Sequence, residues 1–369
     1  MVDIIVAGHI CLDLLPGMDG VPLAALSNTG MLYEVDALDI STGGAVANAG
    51  VALHILGTDA GLMGKVGDDL IGRVIIATLK DRDEQLASLV KVQPGSASSY
   101  TIALSPENAD RIFLHCPGTN DTFGIDDIDF ERVEDAKIFY LGYPPLLPRM
   151  HADGGDELAE IFRRVKAGGT VTALDTAQPD PHKASGQADW RSILEKTLPH
   201  VDIFVPSLEE IMFMLRRDDF DRWGGDVLDK IDADYLRILA DELLSMGVAV
   251  TGFKLSRYGF YLRVTSSAQK WRRMTLLDLP VDAWIGAEAY HPVFVTDVVG
   301  TTGAGDASYA ALMTAMLRGM TPDEAVKMAC AVGAHNVEAA GAVGGLKSWD
   351  ETVARVEAGW PISETILEL

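Results

Sequence analysis

The chain of 369 residues, 48% hydrophobic and 23% charged, has the composition of a globular protein with room for one large α/β domain or two ordinary ones. Its net charge of −24 argues against binding to a nucleic-acid backbone or an anionic membrane, because both would repel it. Three cysteines without a Cys-x-x-Cys spacing indicate neither a disulfide framework nor a zinc site. An acidic N-terminus and the lack of a long uncharged apolar run predict a cytoplasmic protein with no membrane span.

Short apolar segments alternate with helical segments along most of the chain. Segments that are apolar on both faces predict buried strands at 4–7, 137–141, 170–174, 202–205 and 248–253. Segments between them predict helices at 45–56, 69–79, 157–166 and 233–246, most of them followed by glycine. This order predicts an α/β fold with a mostly parallel sheet between two layers of helices.

Two segments interrupt the alternation. Residues 14–40 lack helical periodicity and are rich in glycine and proline, and residues 97–118 predict a hairpin of 99–104 and 112–115 around a turn at 106–110. The two segments are either surface excursions or parts of one small sheet inserted in a single domain of residues 1–369. We favour the second interpretation. Such a sheet would act as a lid that excludes water from the active site. Its exposed edge is compatible with a homodimer formed through the lid.

A glycine-rich turn precedes an apolar helix near the C-terminus. The segment 301–306 reads TTGAGD, and its glycines let several backbone N–H groups converge at a helix N-terminus, which predicts an anion hole. Asp306 would repel a bound phosphate, but it is suited to accept a proton from an attacking hydroxyl. The alternative is that Asp306 caps its own helix. The segment is not a P-loop, because no lysine follows it.

This segment resembles the second signature of the ribokinase/phosphofructokinase-B (PfkB) carbohydrate kinase family, usually written DTTGAGD. Residues 43–57 and 64–72 resemble the first signature. The resemblance covers nearly the whole chain and weakens at residues 265–292. It implies a ribokinase-like three-layer fold with a small β lid, and transfer of the γ-phosphoryl of ATP to a hydroxyl of a sugar or sugar-like molecule. It also implies ATP and Mg²⁺ as cofactors.

The resemblance assigns roles to individual residues. It implies that Asp306 is the base and that the backbone at Gly303, Ala304 and Gly305 forms the anion hole. The positions that it matches to the substrate pocket are Asp13, placed at the end of the first strand, Gly43, Gly44 and Asn48. A carboxylate that accepts from two hydroxyls would favour a polyol. Alternatively, Asp13 only caps a turn, and Asn48 is a polar residue in the interior of a helix that bonds the nearby loop.

A second loop of the chain resembles the nucleotide-binding part of the family. Residues 254–259 are similar to the family loop that approaches the phosphates and ribose of ATP. The nucleotide-binding residues implied by the resemblance are Lys254, Ser256, Gly259, Thr302, His335 and Asn336. The last two lie on the helix that borders the adenine, and a helix that only lines the core would have the same pattern. Glu210 fills the acid position of the family's NxxE motif and is the implied magnesium residue.

The chain departs from the family pattern at several positions. Gly300 replaces an aspartate of the monovalent-cation site, which puts activation by K⁺ in doubt. Ser207 replaces the asparagine of NxxE, and residues 175–178 lack the arginine of some sugar-acid and fructose kinases. Cys11 stands where ribokinase has asparagine, which argues against plain ribokinase.

Three other functions compete with a sugar kinase. A nucleoside kinase shares the motifs, and a non-catalytic sugar sensor on the same fold would share them too. A dinucleotide-dependent oxidoreductase would have GxGxxG after the first strand, and residues 8–13 do not match it.

Overall fold

The computed structural model describes residues 2–107, 112–271 and 274–367. Its strands are β1 (Ile4–Gly8), β2 (Cys11–Pro16), β3 (Leu38–Gly43), β4 (Ala60–Met63), β5 (Lys65–Gly67), β6 (Lys91–Gln93), β7 (Tyr100–Leu104), β8 (Ile112–Cys116), β9 (Ile138–Gly142), β10 (Val171–Asp175), β11 (Ile203–Phe204), β12 (Val250–Lys254), β13 (Phe260–Val264) and β14 (Glu288–His291). Its helices are α1 (Gly44–Ile55), α2 (Leu70–Lys80), α3 (Phe130–Glu134), α4 (Pro148–His151), α5 (Asp156–Gly168), α6 (Ala184–Gln187), α7 (Trp190–Thr197), α8 (Leu208–Leu215), α9 (Arg217–Arg222), α10 (Ala233–Met246), α11 (Ala268–Trp271), α12 (Val281–Trp284), α13 (Ala304–Leu317), α14 (Pro322–Asn336) and α15 (Trp349–Glu357).

An eight-stranded sheet runs through the centre of the protein in the order β14-β13-β12-β11-β10-β9-β1-β4. The pairs from β4 to β12 are parallel, whereas β13 and β14 add an antiparallel edge. The five strands predicted from apolar segments are all in the parallel part. Its buried residues are apolar on both faces because helices cover both.

Side chains of the central strands alternate between two hydrophobic cores. Ile4 and Val6 of β1 pack in one core with α1, α13 and α14, and Ile5 and Ala7 pack in the other with α5, α7 and α10. This alternation is the period of two that an extended strand imposes. The predicted three-layer α/β/α fold is therefore confirmed.

A smaller sheet has the strand order β3-β2-β7-β8. Strand β2 pairs antiparallel with β3 and parallel with β7, and β7 pairs antiparallel with β8. The two segments that interrupt the alternation thus join in one sheet, as predicted. Residues 108–110 of the predicted turn lie outside the described residues. A short 3₁₀ helix, Leu23–Ser27, lies in the first of these segments.

The chain turns sharply where it passes from the central to the small sheet. Gly8 has φ of +124°, and a Cβ there would lie 2.4 Å from the carbonyl oxygen of Gly142. The first strand therefore ends at Gly8, and Asp13 lies in β2 of the small sheet rather than at the end of the first strand. Within the described ranges, no helix is both long enough and apolar enough to cross a membrane.

Candidate active site

The loop formed by residues 301–306 lies between two cavities. One cavity, of about 600 Å³, is lined by Thr301, Ala304 and Gly305 from this loop and by residues of the β12–β13 connection. The other, of about 720 Å³, is lined by Thr302 and Gly303 and by residues of the small sheet. Two cavities that share one loop fit a reaction in which a group passes from one bound molecule to another.

Backbone geometry at Gly303 requires glycine. Its φ is +75°, and a Cβ there would lie 2.3 Å from the carbonyl oxygen of Ala342. Helix α13 begins at the next residue, Ala304. Because the first N–H groups of a helix lack intrahelical acceptors, this turn presents backbone donors at the boundary between the cavities. That geometry fits the predicted anion hole.

Asp306 lies in the first turn of α13, and its side chain is buried, with the residue only 2% exposed. Its Oδ2 accepts a hydrogen bond from Asn48 Nδ2 at 3.0 Å and another from the Tyr143 hydroxyl at 2.7 Å. Its Oδ1 is buried and has no partner among the described residues. The N-cap of α13 is Gly303, so the carboxylate does not have the capping role that the sequence left open.

The surroundings of Asp306 suit a base at neutral pH. Burial raises the pKa of Asp306 to about 6, and the charge of Asp175 adds to the increase. The hydrogen bonds from Tyr143 and Asn48 and the charge of Lys254 act in the opposite direction. A carboxylate with this pKa is ionised at pH 7 and still basic enough to take a proton during the reaction.

A buried ion pair lies beside the loop. Lys254, at the end of β12, donates to Asp175 Oδ1 at 2.7 Å, and the two side chains are 9% and 0% exposed. The Tyr140 hydroxyl donates to the other carboxylate oxygen at 3.0 Å. A Cβ on Gly305 would lie 3.6 Å from Lys254 Nζ, so the ammonium is next to the loop backbone.

The charge on Lys254 is stable despite its burial. Burial lowers the pKa of Lys254, but the carboxylates of Asp175 and Glu210 outweigh that effect, and the net result is a raised pKa. The ammonium is therefore charged at neutral pH. It lines the first cavity and provides a fixed positive charge where phosphate oxygens would approach Gly305.

Glu210 closes the N-terminus of α8. Its Oε2 accepts from the Ser207 N–H at 3.0 Å and from Thr176 Oγ1 at 2.8 Å. Burial raises the pKa of Glu210; Lys254 counteracts this and Asp175 reinforces it. Its neighbour Glu209 lines the first cavity. Glu210 itself, the predicted magnesium residue, is not among the residues that line the two cavities.

The predicted substrate residues meet at the second cavity. Asp13, Gly44 and Asn48 line it, and Gly43 is packed so closely that a Cβ there would lie 2.1 Å from Asp13 Oδ2. Burial raises the pKa of Asp13, and hydrogen bonds from Cys11 and Thr101 counteract the increase. Asn48 does bond the neighbouring loop residue Asp306, while its Oδ1 is buried without a partner in the described part of the chain. The glycines leave space for the polar groups.

Several residues of this site were missed from the sequence. His9 lines the second cavity, and both its ring nitrogens are buried without a partner among the residues described. Tyr143 bonds Asp306 from a left-handed backbone conformation, φ 65° and ψ 47°, which costs about 1–3 kcal/mol for a bulky residue. Asp175 directly follows a predicted strand and is the last residue of β10. Polar residues just after parallel strands were the available signal, because ligand sites form at those ends.

The residues predicted to bind the nucleotide do not all line one cavity. Lys254, Ser256 and Gly259 line the first cavity, and Thr302 lines the second. Gly259 has φ of +101°. The first cavity is also lined by Cys330, Gly333 and Ala334 of α14 and by Val337, which follows the helix.

His335 and Asn336, predicted to border the adenine, have other contacts. His335 Nδ1 lies 3.1 Å from an Arg355 guanidinium nitrogen, and Asn336 Nδ2 donates to the carbonyl oxygen of Thr302 at 2.9 Å. Neither residue lines either of the two cavities. Asn336 thus stabilises the loop through a hydrogen bond to its backbone.

Comparison with known proteins gives the family. The family model described as pfkB family carbohydrate kinase matches residues 3–250 and 285–349. The chain belongs to the pfkB family of carbohydrate kinases. An uncharacterised sugar kinase from Archaeoglobus fulgidus is 25% identical to this pfkB-family kinase, over 80% of this chain and 98% of that one.

Two further relatives are informative. An ATP-dependent ribose-1-phosphate kinase of Halopiger xanaduensis is 25% identical over 90% of this chain and 91% of its own. The structure of Arabidopsis thaliana ribokinase complexed with ribose and ATP has a TM-score of 0.71 at 18% identity, and covers 96% of this chain and 98% of that one. The predicted ribokinase-like fold and the predicted class, an ATP-dependent carbohydrate kinase, are confirmed.

Proposed function

We propose that this pfkB-family kinase transfers the γ-phosphoryl of ATP to a hydroxyl of a neutral sugar, with Asp306 as the general base. The observation that carries the proposal is the Asp306 carboxylate itself. It is buried directly after the residues that border both cavities, with one oxygen bonded to Asn48 and Tyr143 and the other oxygen without a partner among the described residues. A lone acceptor oxygen in such a position suits a hydroxyl that must lose its proton.

ATP would bind in the cavity that Lys254, Ser256 and Gly259 line, with its phosphates at Ala304 and Gly305. The α13 N-terminus and the Lys254 ammonium supply positive potential there, and charge neutralisation is the main need in phosphoryl transfer. Mg²⁺ would arrive with the nucleotide and be held from the protein side by the first turn of α8, where Glu209 lines the cavity and Glu210 is its neighbour. Gly300 has no carboxylate, so we expect no activation by K⁺ through that position.

The acceptor would bind in the cavity next to Asp13, Asn48 and Gly44. A carboxylate and an amide oxygen both accept hydrogen bonds, which suits a molecule with several hydroxyl groups. Strand β2, which carries Asp13, belongs to the small sheet, so we propose that residues 14–40 and 97–118 form a lid on a single catalytic domain. Closure of this lid would exclude water from the transfer.

Charges around the acceptor cavity favour a neutral acceptor. The carboxylates that line it are those of Asp13, Asp121 and Asp180, and the lysine that lines it, Lys183, has Asp180 at 3.9 Å. Burial, with His115 as a smaller contribution, lowers the pKa of His9 to about 3, so this imidazole is neutral. A phosphate or carboxylate on the acceptor would meet these negative charges.

Exposed apolar side chains on the lid support the proposal of a homodimer. Leu38 and Ile40 on β3 and Phe113 and Leu114 on β8 are each about half exposed. Apolar side chains on outer strands attract a partner surface. Sedimentation at several protein concentrations would test the dimer, and Phe113→Lys is expected to favour the monomer.

The acceptor is found by measuring ADP release with a panel of pentoses, hexoses, polyols, sugar acids, sugar phosphates and nucleosides, with product confirmed by mass spectrometry. We expect a neutral pentose or hexose to give the highest kcat/KM. A sugar phosphate as the best acceptor would contradict the neutral-sugar proposal, and a nucleoside would favour the nucleoside kinase. Binding of sugars without any ADP release would favour the sensor.

A further inference from the structure

Tyr143 has an unusual backbone for its position. It follows β9 directly and precedes Pro144 and Pro145, and its φ of 65° and ψ of 47° are left-handed. A residue before proline normally adopts an extended conformation, so two preferences are violated here. The Tyr143 N–H donates to the carbonyl oxygen of Asp175 at 3.2 Å, which helps to fix the turn. An outlier that the surrounding structure maintains is a reason to look for a functional role.

The conformation directs the phenol to Asp306. The Tyr143 hydroxyl donates to Asp306 Oδ2 at 2.7 Å, and Asn48 Nδ2 donates to the same oxygen at 3.0 Å. Burial and the charge of Asp306 raise the pKa of Tyr143 well above its ordinary value, so the phenol keeps its proton and acts only as a donor. Both donors contact one oxygen, and Oδ1 is left without a partner among the described residues.

We propose that Tyr143 is a positioning residue: its hydroxyl, with Asn48, holds Asp306 Oδ2 so that Oδ1 receives the proton of the acceptor hydroxyl. The inference rests on the proposed function, in which Asp306 is the base. Tyr143 acts through Asp306 and takes no proton itself. Its second effect is to stabilise the ionised form of the carboxylate, because a hydrogen bond to a charged oxygen favours the charge.

Other charged groups near Asp306 also influence its pKa. Asp175 on β10 disfavours ionisation of Asp306, and Lys254 on β12 favours it. Glu210 on α8 and His9 after β1 lie near Tyr143 itself. None of them replaces the phenol as a donor to Oδ2, so removal of the hydroxyl should raise the pKa of Asp306 further above about 6.

The test compares Tyr143→Phe with Tyr140→Phe in kcat measured from pH 5 to 9 with saturating ATP and the best acceptor. Tyr140 is a matched control because its hydroxyl is also buried but donates to Asp175 instead of Asp306. Removing the hydrogen bond to Asp306 should move the acid limb of the Tyr143→Phe profile upward by about one pH unit, which lowers kcat at pH 6 about fivefold. Part of the loss should be recovered at high pH, which a purely structural defect would not show.

A direct titration keeps the test independent of turnover. The side-chain carboxyl of Asp306 is observed by NMR in protein labelled with ¹³Cγ-aspartate and assigned with Asp306→Asn. A higher pKa in Tyr143→Phe than in Tyr140→Phe supports the inference, even where the variant has lost all turnover. Equal acid limbs, or an Asp306 titration that Tyr143→Phe does not change, would overturn it. If wild-type protein phosphorylates no acceptor while the titration shifts as expected, the proposed function fails, and the link between Tyr143 and Asp306 remains.

Discussion

Asp306 should reduce the stability of the folded protein at neutral pH, and Asp306→Asn should therefore increase it. A carboxyl whose pKa is raised on folding costs stability above its folded pKa and costs nothing below its unfolded pKa. The pKa of Asp306 is about 6, against an ordinary value of 3.8, because the group is buried near Asp175. That difference corresponds to about 3 kcal/mol at pH 7.5.

An asparagine can keep the existing contacts. Its oxygen can accept from Asn48 and Tyr143 as Asp306 Oδ2 does, and its amide replaces the oxygen that has no partner among the described residues. We therefore expect Asp306→Asn to increase the free energy of unfolding by about 2–3 kcal/mol at pH 7.5. The gain should shrink as the pH falls from about 7 toward 4, because the wild-type carboxyl is then protonated in the folded state.

Urea unfolding at pH 7.5 and pH 5 measures the effect, with tryptophan fluorescence as the signal. Asp202→Asn is the matched control, since Asp202 is equally buried but bonded to Lys166 and to the Thr172 N–H. That variant should lose about 3–5 kcal/mol, because it removes one partner of a buried ion pair. If Asp306→Asn is as stable as wild type or less stable at pH 7.5, the account of a strained, functional carboxylate is wrong.

Two further substitutions test the surroundings of the loop. Lys254→Met should lower the free energy of unfolding by about 3–5 kcal/mol because it leaves Asp175 buried without its cation. The double variant Lys254→Met with Asp175→Asn should regain most of that stability in urea unfolding but not the ADP release, and equal stability of the single and double variants would contradict the ion-pair argument. Gly303→Ala should abolish turnover because its Cβ would lie 2.3 Å from the Ala342 carbonyl oxygen. Gly341→Ala, with φ of +82° and open space around its Cβ, is the control for backbone strain and should retain turnover, and equal losses in both variants would refute the steric reason.

Much of the fold was predictable because its signals are local. The strands of the parallel sheet are apolar on both faces, and the turn before α13 is marked by glycines within six residues of one another. Asp306 could also be singled out from a local signal, since a carboxylate is unexpected inside an anion-binding turn. The predicted placement of Asp13 at the end of the first strand was wrong, because a single left-handed glycine, Gly8, ends the strand earlier than the apolar run suggests.

The rest of the site depends on contacts between distant segments. Lys254 and Asp175 are 79 residues apart, and Asp306 and Tyr143 are 163 apart, so no spacing along the chain indicates either pair. The position of His335 away from the first cavity was not predictable for another reason. Helix α14 is buried nearly all round, and its apolar pattern therefore does not show which face meets the cavity.

The most direct test of the central claim is the rate of acceptor-dependent ADP release by Asp306→Asn, compared with wild type at pH 7.5. The variant should fold, bind ATP with an affinity within a few fold of wild type, and lose kcat by a factor of about 10²–10⁴, the usual contribution of a positioned base. ATP binding is measured by calorimetry on the same samples. A variant that binds ATP and retains near-wild-type kcat would contradict the assignment of Asp306 as the base.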